Sequence, residues 1–198
     1  MDDDKIYSEA LTRVEELLQR ARGTSLREPL AMALATANAA GIPSVRVVLL
    51  RGFNAEGFVF YTNTLSDKGR DLAENPHAAL AFHWDELGEQ LRVQGPVQSV
   101  SDDEADAYWA TRPRESQIGA WASQQSSTLD EMATLTRNVD DLERRFEAQE
   151  IARPAHWSGY RVVPHRIEFW TNRPARLHER VVYERGPDGD WTRGRLYP

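Results

Sequence analysis

Arginine is the residue type in this sequence that most strongly suggests binding chemistry. Arg46 and Arg51 flank a run of aliphatic residues, and Arg176 and Arg180 enclose a leucine, a histidine and a glutamate. A guanidinium group pairs with two phosphate oxygens at once, so arginines can replace a glycine-rich phosphate loop. A salt bridge with one of the 31 acidic residues is the simplest explanation for any single arginine. Taken together, the arginines indicate an anionic ligand.

Tyr108, Arg112 and Ser116 follow one another at intervals of four residues. On one continuous helix they would share a face and form a cup of two hydroxyls and a guanidinium for a phosphate group. Pro113 is expected to end the helix after Arg112, so Ser116 would come from a turn or from the start of a new helix. The start of a helix also favours an anion.

Two further pairs are distinguished by their spacing. Arg46 and Arg51, five residues apart, would face opposite sides of a regular strand, which favours two phosphate groups unless the strand bends. Arg176 and His178, two residues apart, would face the same side of a strand. A cation and an imidazole placed side by side could hold and polarise an anionic ring. A hydrogen-bonded structural histidine is the alternative for His178.

The sequence excludes several other kinds of site. It has no cysteine, which rules out disulfides, zinc–thiolate sites and cysteine nucleophiles. It has no dinucleotide-binding or Walker A glycine motif and no G-x-S-x-G elbow. His178-Glu179 begins like a zinc-protease motif, but Val182 stands in place of the second histidine, and we expect no metal site.

Charge and hydropathy indicate the surroundings of the protein. The net charge of −7 disfavours nonspecific binding to nucleic acid. No apolar run approaches the roughly 20 residues that span a bilayer. The start of the chain has no secretory signal pattern, so we expect a cytoplasmic protein.

Hydrophobic periodicity predicts a mainly β protein with flanking helices, in a single domain over 1–198. An apolar face predicts an N-terminal helix over about 6–21, a capping box at Ser101 predicts a helix to about Thr111, and Ala31–Ala39 fits either helix or strand. About eight short strands with helices between them favour an antiparallel barrel with the helices packed outside. The predicted strands are 44–51, 57–62, 78–84, 90–100, 159–163, 166–171, 180–185 and 191–196. The other predicted helices are 66–73, which Ser66 can cap, 115–122 and 128–148.

Several longer strings are specific enough to indicate a family. They include RVVLLR at 46–51, FVFYTN at 58–63, YWATRPRESQIGAWASQQS at 108–126, RLHER at 176–180 and RLYP at 195–198. With these strings in this order, the chain resembles the pyridoxine (pyridoxamine) 5′-phosphate oxidase family from about Glu28 to Pro198. The resemblance implies an FMN-binding split β-barrel that forms a homodimer, with FMN at the subunit interface.

The resemblance also implies residue roles and a reaction. FMN would contact Arg46, Val47, Val48, Leu49, Tyr61, Thr62, Lys68, Gln90, Gln125, Ser126, Trp170 and Arg180. The substrate phosphate would meet Arg51, Tyr108, Arg112 and Ser116, while Arg176 and His178 would hold the pyridine ring against the flavin as the catalytic pair. The implied reaction oxidises pyridoxine or pyridoxamine 5′-phosphate to pyridoxal 5′-phosphate and reduces O2 to H2O2.

The chain departs from the family pattern at several positions. Arg51 stands where lysine is usual, Asp67 replaces a basic residue, and Thr171-Asn172 replaces a common Gln-Gly. The N-terminal segment lacks the basic, glycine-containing stretch that often covers the substrate in relatives. Two alternatives stay open: a phenazine-biosynthesis oxidase with the same barrel and FMN, and a non-catalytic protein that binds flavin or pyridoxal phosphate.

Overall fold

A ten-stranded antiparallel sheet forms the framework of the chain, of which the computed structural model describes residues 3–198. The strands are β1 (Ala31–Ala37), β2 (Pro43–Leu49), β3 (Gly52–Asn54), β4 (Gly57–Asn63), β5 (His77–Trp84), β6 (Glu89–Ser99), β7 (Trp157–Val162), β8 (Arg166–Thr171), β9 (Glu179–Arg185) and β10 (Trp191–Leu196). The helices are α1 (Asp3–Arg22), α2 (Asp67–Glu74), α3 (Asp102–Ala110), α4 (Arg114–Ala122) and α5 (Met132–Arg145). The main path runs β10-β9-β8-β6-β5-β1-β2, while β7 joins β6 to β4 and β4 pairs with β3.

The long strand β6 splits the sheet. Residues 89–94 of β6 pair with β8, residues 97–99 pair with β7, and β5 runs along the opposite edge. Gly95 lies at the transition, where an added Cβ would collide with the carbonyl group of Val163, so this close approach requires glycine. The sheet can therefore curl into a half-barrel whose inner face is apolar.

The barrel core follows from alternation along the strands. In β5 every second residue from Ala78 to Trp84 is buried, as expected for a strand with one face toward the core. Helix α1 covers part of this core with Ala10, Val14 and Leu17, which recur at helical spacing and are all buried. The core thus fixes the strands that carry the polar residues described below.

A second, smaller core joins the helices to the barrel. Trp109 of α3, Ile118 of α4 and Trp157 of β7 are buried together with Phe146 and Ile151. The indole N–H of Trp109 donates to the Ile151 carbonyl at 2.7 Å, which satisfies the polar atom of this large side chain. This packing holds the connection between α3 and α4 against the paired strands β4 and β7.

The predicted fold class, an antiparallel barrel with external helices, is confirmed. Residues 31–37 form a strand because they pair with β2 on one side and β5 on the other. β3 was not predicted, since three residues are too few to show a period. The hydroxyl of Ser101 accepts from the backbone N–H of Glu104, as the capping box predicts.

Two local predictions are wrong. Ser66 does not cap α2, because its hydroxyl donates to the Asn63 carbonyl at 2.7 Å and accepts from Lys68 Nζ at 3.0 Å. The helix predicted over 128–148 is confined to Met132–Arg145, and the exposed residues before it lie in a turn and loop. Within residues 3–198, no helix is both long and apolar enough to cross a membrane.

Candidate functional site

A cavity of about 580 Å³ opens beside the edge strand β2 and is bounded by β4, α2 and the end of α3. Most of the residues predicted to bind FMN or the substrate phosphate line it. These are Arg46, Val47, Val48, Leu49, Arg51, Tyr61, Thr62, Lys68, Tyr108, Arg112, Gln125 and Ser126. The sheet and the two helices therefore bring together residues that are up to 80 positions apart in sequence.

The cavity is cationic although the chain carries a net charge of −7. Arg46, Arg51, Lys68 and Arg112 all contribute to its wall, and Asp67 is the one carboxylate among the described lining residues. Like charges brought together in this way repel one another unless an anion lies between them. The arrangement therefore favours an anionic ligand.

Both Arg46 and Arg51 reach this one cavity, contrary to the expectation that they would face opposite sides of a strand. β2 ends at Leu49, so Arg51 lies beyond the strand and the alternation rule does not apply to it. The two guanidinium groups can serve one elongated ligand or two adjacent ones.

Lys68 organises one end of the cavity. Its side chain is buried, and Nζ donates to Thr62 Oγ1 at 3.2 Å, to Ser66 Oγ at 3.0 Å and to Gln125 Oε1 at 3.1 Å. Burial lowers the pKa of Lys68 and nearby Arg46 lowers it further, while Asp67 raises it. The lysine therefore holds two of the predicted ligand residues in place with its own hydrogen bonds.

Arg112 forms the other end, and its environment is unusual. Its Nη1 is buried without a hydrogen-bond partner, and its guanidinium lies 4.6 Å from the ring centre of Trp157 and 5.1 Å from that of Trp109. Burial lowers its pKa, Tyr108 raises it and Arg51 lowers it. A buried donor without a partner costs about 1–3 kcal/mol, and more when it is charged. This unmet donor points to an anion as its partner.

Aromatic rings stack beside Arg112. Tyr61 lies parallel to Tyr108, with ring centres 4.0 Å apart, and also parallel to Trp157 at 5.3 Å. Burial raises the pKa of Tyr61 to about 12, with Glu104 and Tyr108 adding to the rise and Arg161 opposing it. Tyr61 thus keeps its phenolic proton at neutral pH and can donate to a ligand.

The other predicted ligand residues lie elsewhere on the chain. Gln90 of β6 is opposite Trp170 of β8, which in turn is opposite Arg180 of β9. Gln90 and Trp170 line a separate cavity of about 250 Å³, and Arg180 donates to Glu168 Oε1 at 2.8 Å. β8 and β2 are four steps apart in the sheet, or about 19 Å along a flat sheet. One chain therefore carries two separate groups of predicted ligand residues.

Arg176 and His178 belong to this second group, but they do not lie on a strand. They follow β8 in a tight turn, in which Ala175 (φ 57°) and Arg176 (φ 61°) have left-handed backbone conformations. The ring of His178 packs on Trp170 with centres 4.5 Å apart, and its Nδ1 is 3.3 Å from the backbone nitrogen of Arg173. The alternation argument for this pair is wrong, because the turn rather than a pleat orients both side chains.

Ser116 is the predicted residue that joins neither group. Pro113 separates α3 from α4 as expected, and Ser116 lies in the first turn of α4 with an exposed side chain that does not line the cavity. Sequence reasoning assigned Trp157 no role, although it lies in the cavity wall. It also missed Ser44 and Val45 on β2, which have no signal other than their position beside Arg46.

Comparison with protein families shows two matches that cover most of the chain. Residues 18–145 match the family described as pyridoxamine 5′-phosphate oxidase. Residues 157–198 match the pyridoxine 5′-phosphate oxidase C-terminal dimerisation region. The cationic cavity falls almost entirely within the first match, and Trp170, Arg176, His178 and Arg180 fall within the second.

Curated relatives match over nearly their full length. A pyridoxine/pyridoxamine 5′-phosphate oxidase of Mesorhizobium japonicum is 52% identical over 91% of this chain and 88% of that protein. A protein of the same description from Rhodospirillum rubrum is 54% identical, covering 92% and 93%.

Solved structures extend the comparison. PhzG of Burkholderia lata, in complex with tetrahydrophenazine-1-carboxylic acid, superposes with a TM-score of 0.89 at 34% identity, over 94% of this chain and 91% of that chain. An FMN-binding protein of Nostoc punctiforme related to pyridoxamine 5′-phosphate oxidase superposes with a TM-score of 0.75 at 19% identity, over 94% and 96%, and shows the shared fold.

Proposed function

This chain belongs to the pyridoxamine 5′-phosphate oxidase family, and we propose that it is an FMN-dependent oxidase of vitamin B6 phosphates. The proposed reaction converts pyridoxine 5′-phosphate and pyridoxamine 5′-phosphate to pyridoxal 5′-phosphate, with O2 reduced to H2O2. In the amine case, water supplies the aldehyde oxygen and ammonia is released. The observation that carries the proposal is the buried, unpartnered Nη1 of Arg112 beside Arg51 and Tyr108.

The residues present fit a flavin phosphate and a substrate phosphate at the two ends of the cavity. Arg46 and Lys68 supply cations at one end, together with the Thr62 hydroxyl and the Gln125 amide. Arg112 with Arg51 supplies the other end, where the guanidinium has an unmet donor. Bound FMN would supply the chemistry, by accepting a hydride from the C4′ carbon of the substrate and passing two electrons to O2.

The protein's own contribution is orientation. Tyr108 and Arg112 would hold the substrate phosphate, while Arg176 and His178 would hold the pyridine ring and its charge. The stacked rings of Tyr61, Tyr108 and Trp157 would give the phosphate end a firm wall against which the ligand is oriented. Fixing the ring at both ends limits the positions that C4′ can take relative to the flavin.

A homodimer would unite the two groups of ligand residues. β2 is an edge strand that pairs only with β1 within residues 3–198, and its Val45 and Val47 side chains are each 70% exposed. Exposed aliphatic residues on an unpaired edge indicate an interface. We propose that β2 of one copy meets the 157–198 region of a second copy, so that Trp170, Arg176, His178 and Arg180 complete its cavity.

A phenazine-type oxidase is the second candidate, favoured by the 34% identity to PhzG over nearly the whole chain. A phenazine carboxylate offers two acceptor oxygens, whereas a phosphate offers three to Arg112, Arg51 and Tyr108 together, and this set of donors favours the B6 phosphates. Oxygen uptake by the FMN-loaded protein decides between them. We expect pyridoxamine 5′-phosphate to support turnover with equimolar peroxide, whereas turnover of a dihydrophenazine carboxylate alone would overturn the proposal. Tight flavin binding without any turnover would instead indicate a carrier.

A further inference from the structure

The side chain of Arg46 is held by its own chain on both sides. Nη1 donates to Thr36 Oγ1 at 2.6 Å and to the Leu34 carbonyl at 3.4 Å, while Nη2 donates to Ser44 Oγ at 2.6 Å. Leu34 and Thr36 lie on β1, next to β2. A long, flexible side chain is thereby restricted to one position at the cavity wall.

A carboxylate stands behind this arrangement. The hydroxyl of Thr36, which is only 3% exposed, donates to Asp71 Oδ2 at 2.5 Å, and the same oxygen lies 3.7 Å from Arg46 Nη2. Because the single hydroxyl proton goes to Asp71, the lone pairs of Oγ1 are left to accept from Arg46. Asp71, Thr36 and Arg46 therefore form a directed chain in which the carboxylate fixes the hydroxyl and the hydroxyl fixes the guanidinium.

Helix α2 supplies opposite charges to the same region. Lys68 and Asp71 are three residues apart, so they lie on neighbouring positions of the helix surface. Lys68 lines the cavity, and Arg46 disfavours its charged form. Asp71 does not line the cavity, but its Oδ2 lies 3.7 Å from Arg46 Nη2, so its negative charge faces Arg46 from behind the cavity wall.

We infer that Asp71 and Thr36 are positioning residues that aim Arg46 at the phosphate of the flavin and so set the preference for FMN over riboflavin. The inference rests on the proposed function. It goes beyond it by assigning discrimination between flavins to two residues that do not line the cavity. A positioned guanidinium forms charge-assisted hydrogen bonds with a phosphate group, which FMN has and riboflavin lacks.

The test compares FMN and riboflavin affinities of the apoprotein by quenching of flavin fluorescence. We expect Asp71→Asn and Thr36→Val to weaken FMN binding about tenfold, the loss of about one charge-assisted hydrogen bond, and to change riboflavin binding less than twofold. Thr36→Ser retains the hydroxyl and should restore FMN affinity. Glu74→Gln, an exposed carboxylate of the same helix, is the matched control and should leave both affinities unchanged.

A double-mutant cycle separates positioning from a merely structural role. If Asp71 acts through Arg46, Asp71→Asn should change FMN affinity less than twofold in an Arg46→Gln background. Equal losses for FMN and riboflavin, or full additivity in the cycle, would overturn the inference while leaving the proposed function intact. A wild-type protein that binds riboflavin as tightly as FMN would contradict the proposed flavin phosphate site itself, and the inference would fall with it.

Discussion

Replacing Arg112 with methionine should weaken substrate binding with little or no loss of stability of the fold. Methionine retains an unbranched apolar chain between the rings of Trp109 and Trp157, but it removes the guanidinium. Removing the buried Nη1, which has no hydrogen-bond partner, should raise the free energy of unfolding by about 1–3 kcal/mol. Losing the two cation–π contacts should lower it by about 0.5–1 kcal/mol each. The net change lies between about 1 kcal/mol of destabilisation and about 2 kcal/mol of stabilisation, and each kcal/mol corresponds to a Tm shift of about 2–4 °C for a chain of this size.

Ligand binding responds very differently. Each hydrogen bond to a charged group is worth about 1.5–3 kcal/mol, so losing one or more should raise the Kd for pyridoxal 5′-phosphate about 10- to 100-fold. The assay is equilibrium titration of the FMN-loaded variant, with flavin content measured in parallel and expected to be unchanged. Arg112→Lys keeps the charge but loses the planar guanidinium, so its Kd for pyridoxal 5′-phosphate should lie between those of the wild type and Arg112→Met.

The opposite pattern would refute this reasoning. A Tm drop several times larger than the expected shift, with an unchanged Kd, would show that Arg112 stabilises the packing of Trp109 and Trp157. Loss of FMN with retained affinity for pyridoxal 5′-phosphate would show that Arg112 belongs to the flavin end of the cavity.

Three further predictions address other parts of the molecule. The pKa of Lys68 lies below its usual 10.5 in the folded protein, so as the pH is raised the ammonium should lose its proton, and FMN affinity should start to fall, before pH 10.5 is reached. In a fluorescence titration, Lys68→Arg should shift this loss of affinity to higher pH. The same shift means that the Lys68 side chain holds more protons in the unfolded state between its lowered pKa and 10.5. The free energy of unfolding of the apoprotein should therefore rise with pH in that window relative to that of Lys68→Arg, and this difference cancels the titration of the buried tyrosines. Ala175→Gly should raise the free energy of unfolding by about 0.5–1 kcal/mol in a thermal melt, because glycine adopts the left-handed conformation without the Cβ clash, and an unchanged or lower Tm would contradict the argument. If the β2 edge is an interface, Val47→Glu should give monomers by light scattering and lose FMN affinity. Ala73→Glu, which adds the same charge at an exposed position of α2, is the control and should remain dimeric.

The sequence predicted the barrel well because its strands are regular. The strand 78–84 carries large apolar residues at every second position, Leu80, Phe82 and Trp84, and 90–100 is long enough to bridge two parts of a sheet, so both segments agree with the observed pairing. Strand β3 and the start of α5 were not predictable. Three residues are too few to show a period, and Leu129 continues the apolar spacing beyond the observed start of the helix at Met132.

The site was predicted in outline, mainly through the family resemblance. Spacing alone misplaced Arg51, since β2 ends two residues earlier, and it misjudged Arg176, since two consecutive left-handed residues cannot be foreseen without glycine at those positions. The link between Thr36 and Asp71 spans 35 residues and depends on α2 lying against β1, so nothing in the local sequence indicates it.

Anaerobic reduction of the bound flavin is the most direct test of the proposal that this chain oxidises vitamin B6 phosphates. FMN-loaded protein would be mixed with pyridoxamine 5′-phosphate without O2, and the visible absorbance of the flavin followed together with product formation. The proposal predicts bleaching of the flavin with equimolar pyridoxal 5′-phosphate, and no comparable bleaching by pyridoxamine, which lacks the phosphate that Arg112 and Arg51 would bind. A flavin that stays oxidised with the phosphorylated substrate would contradict it.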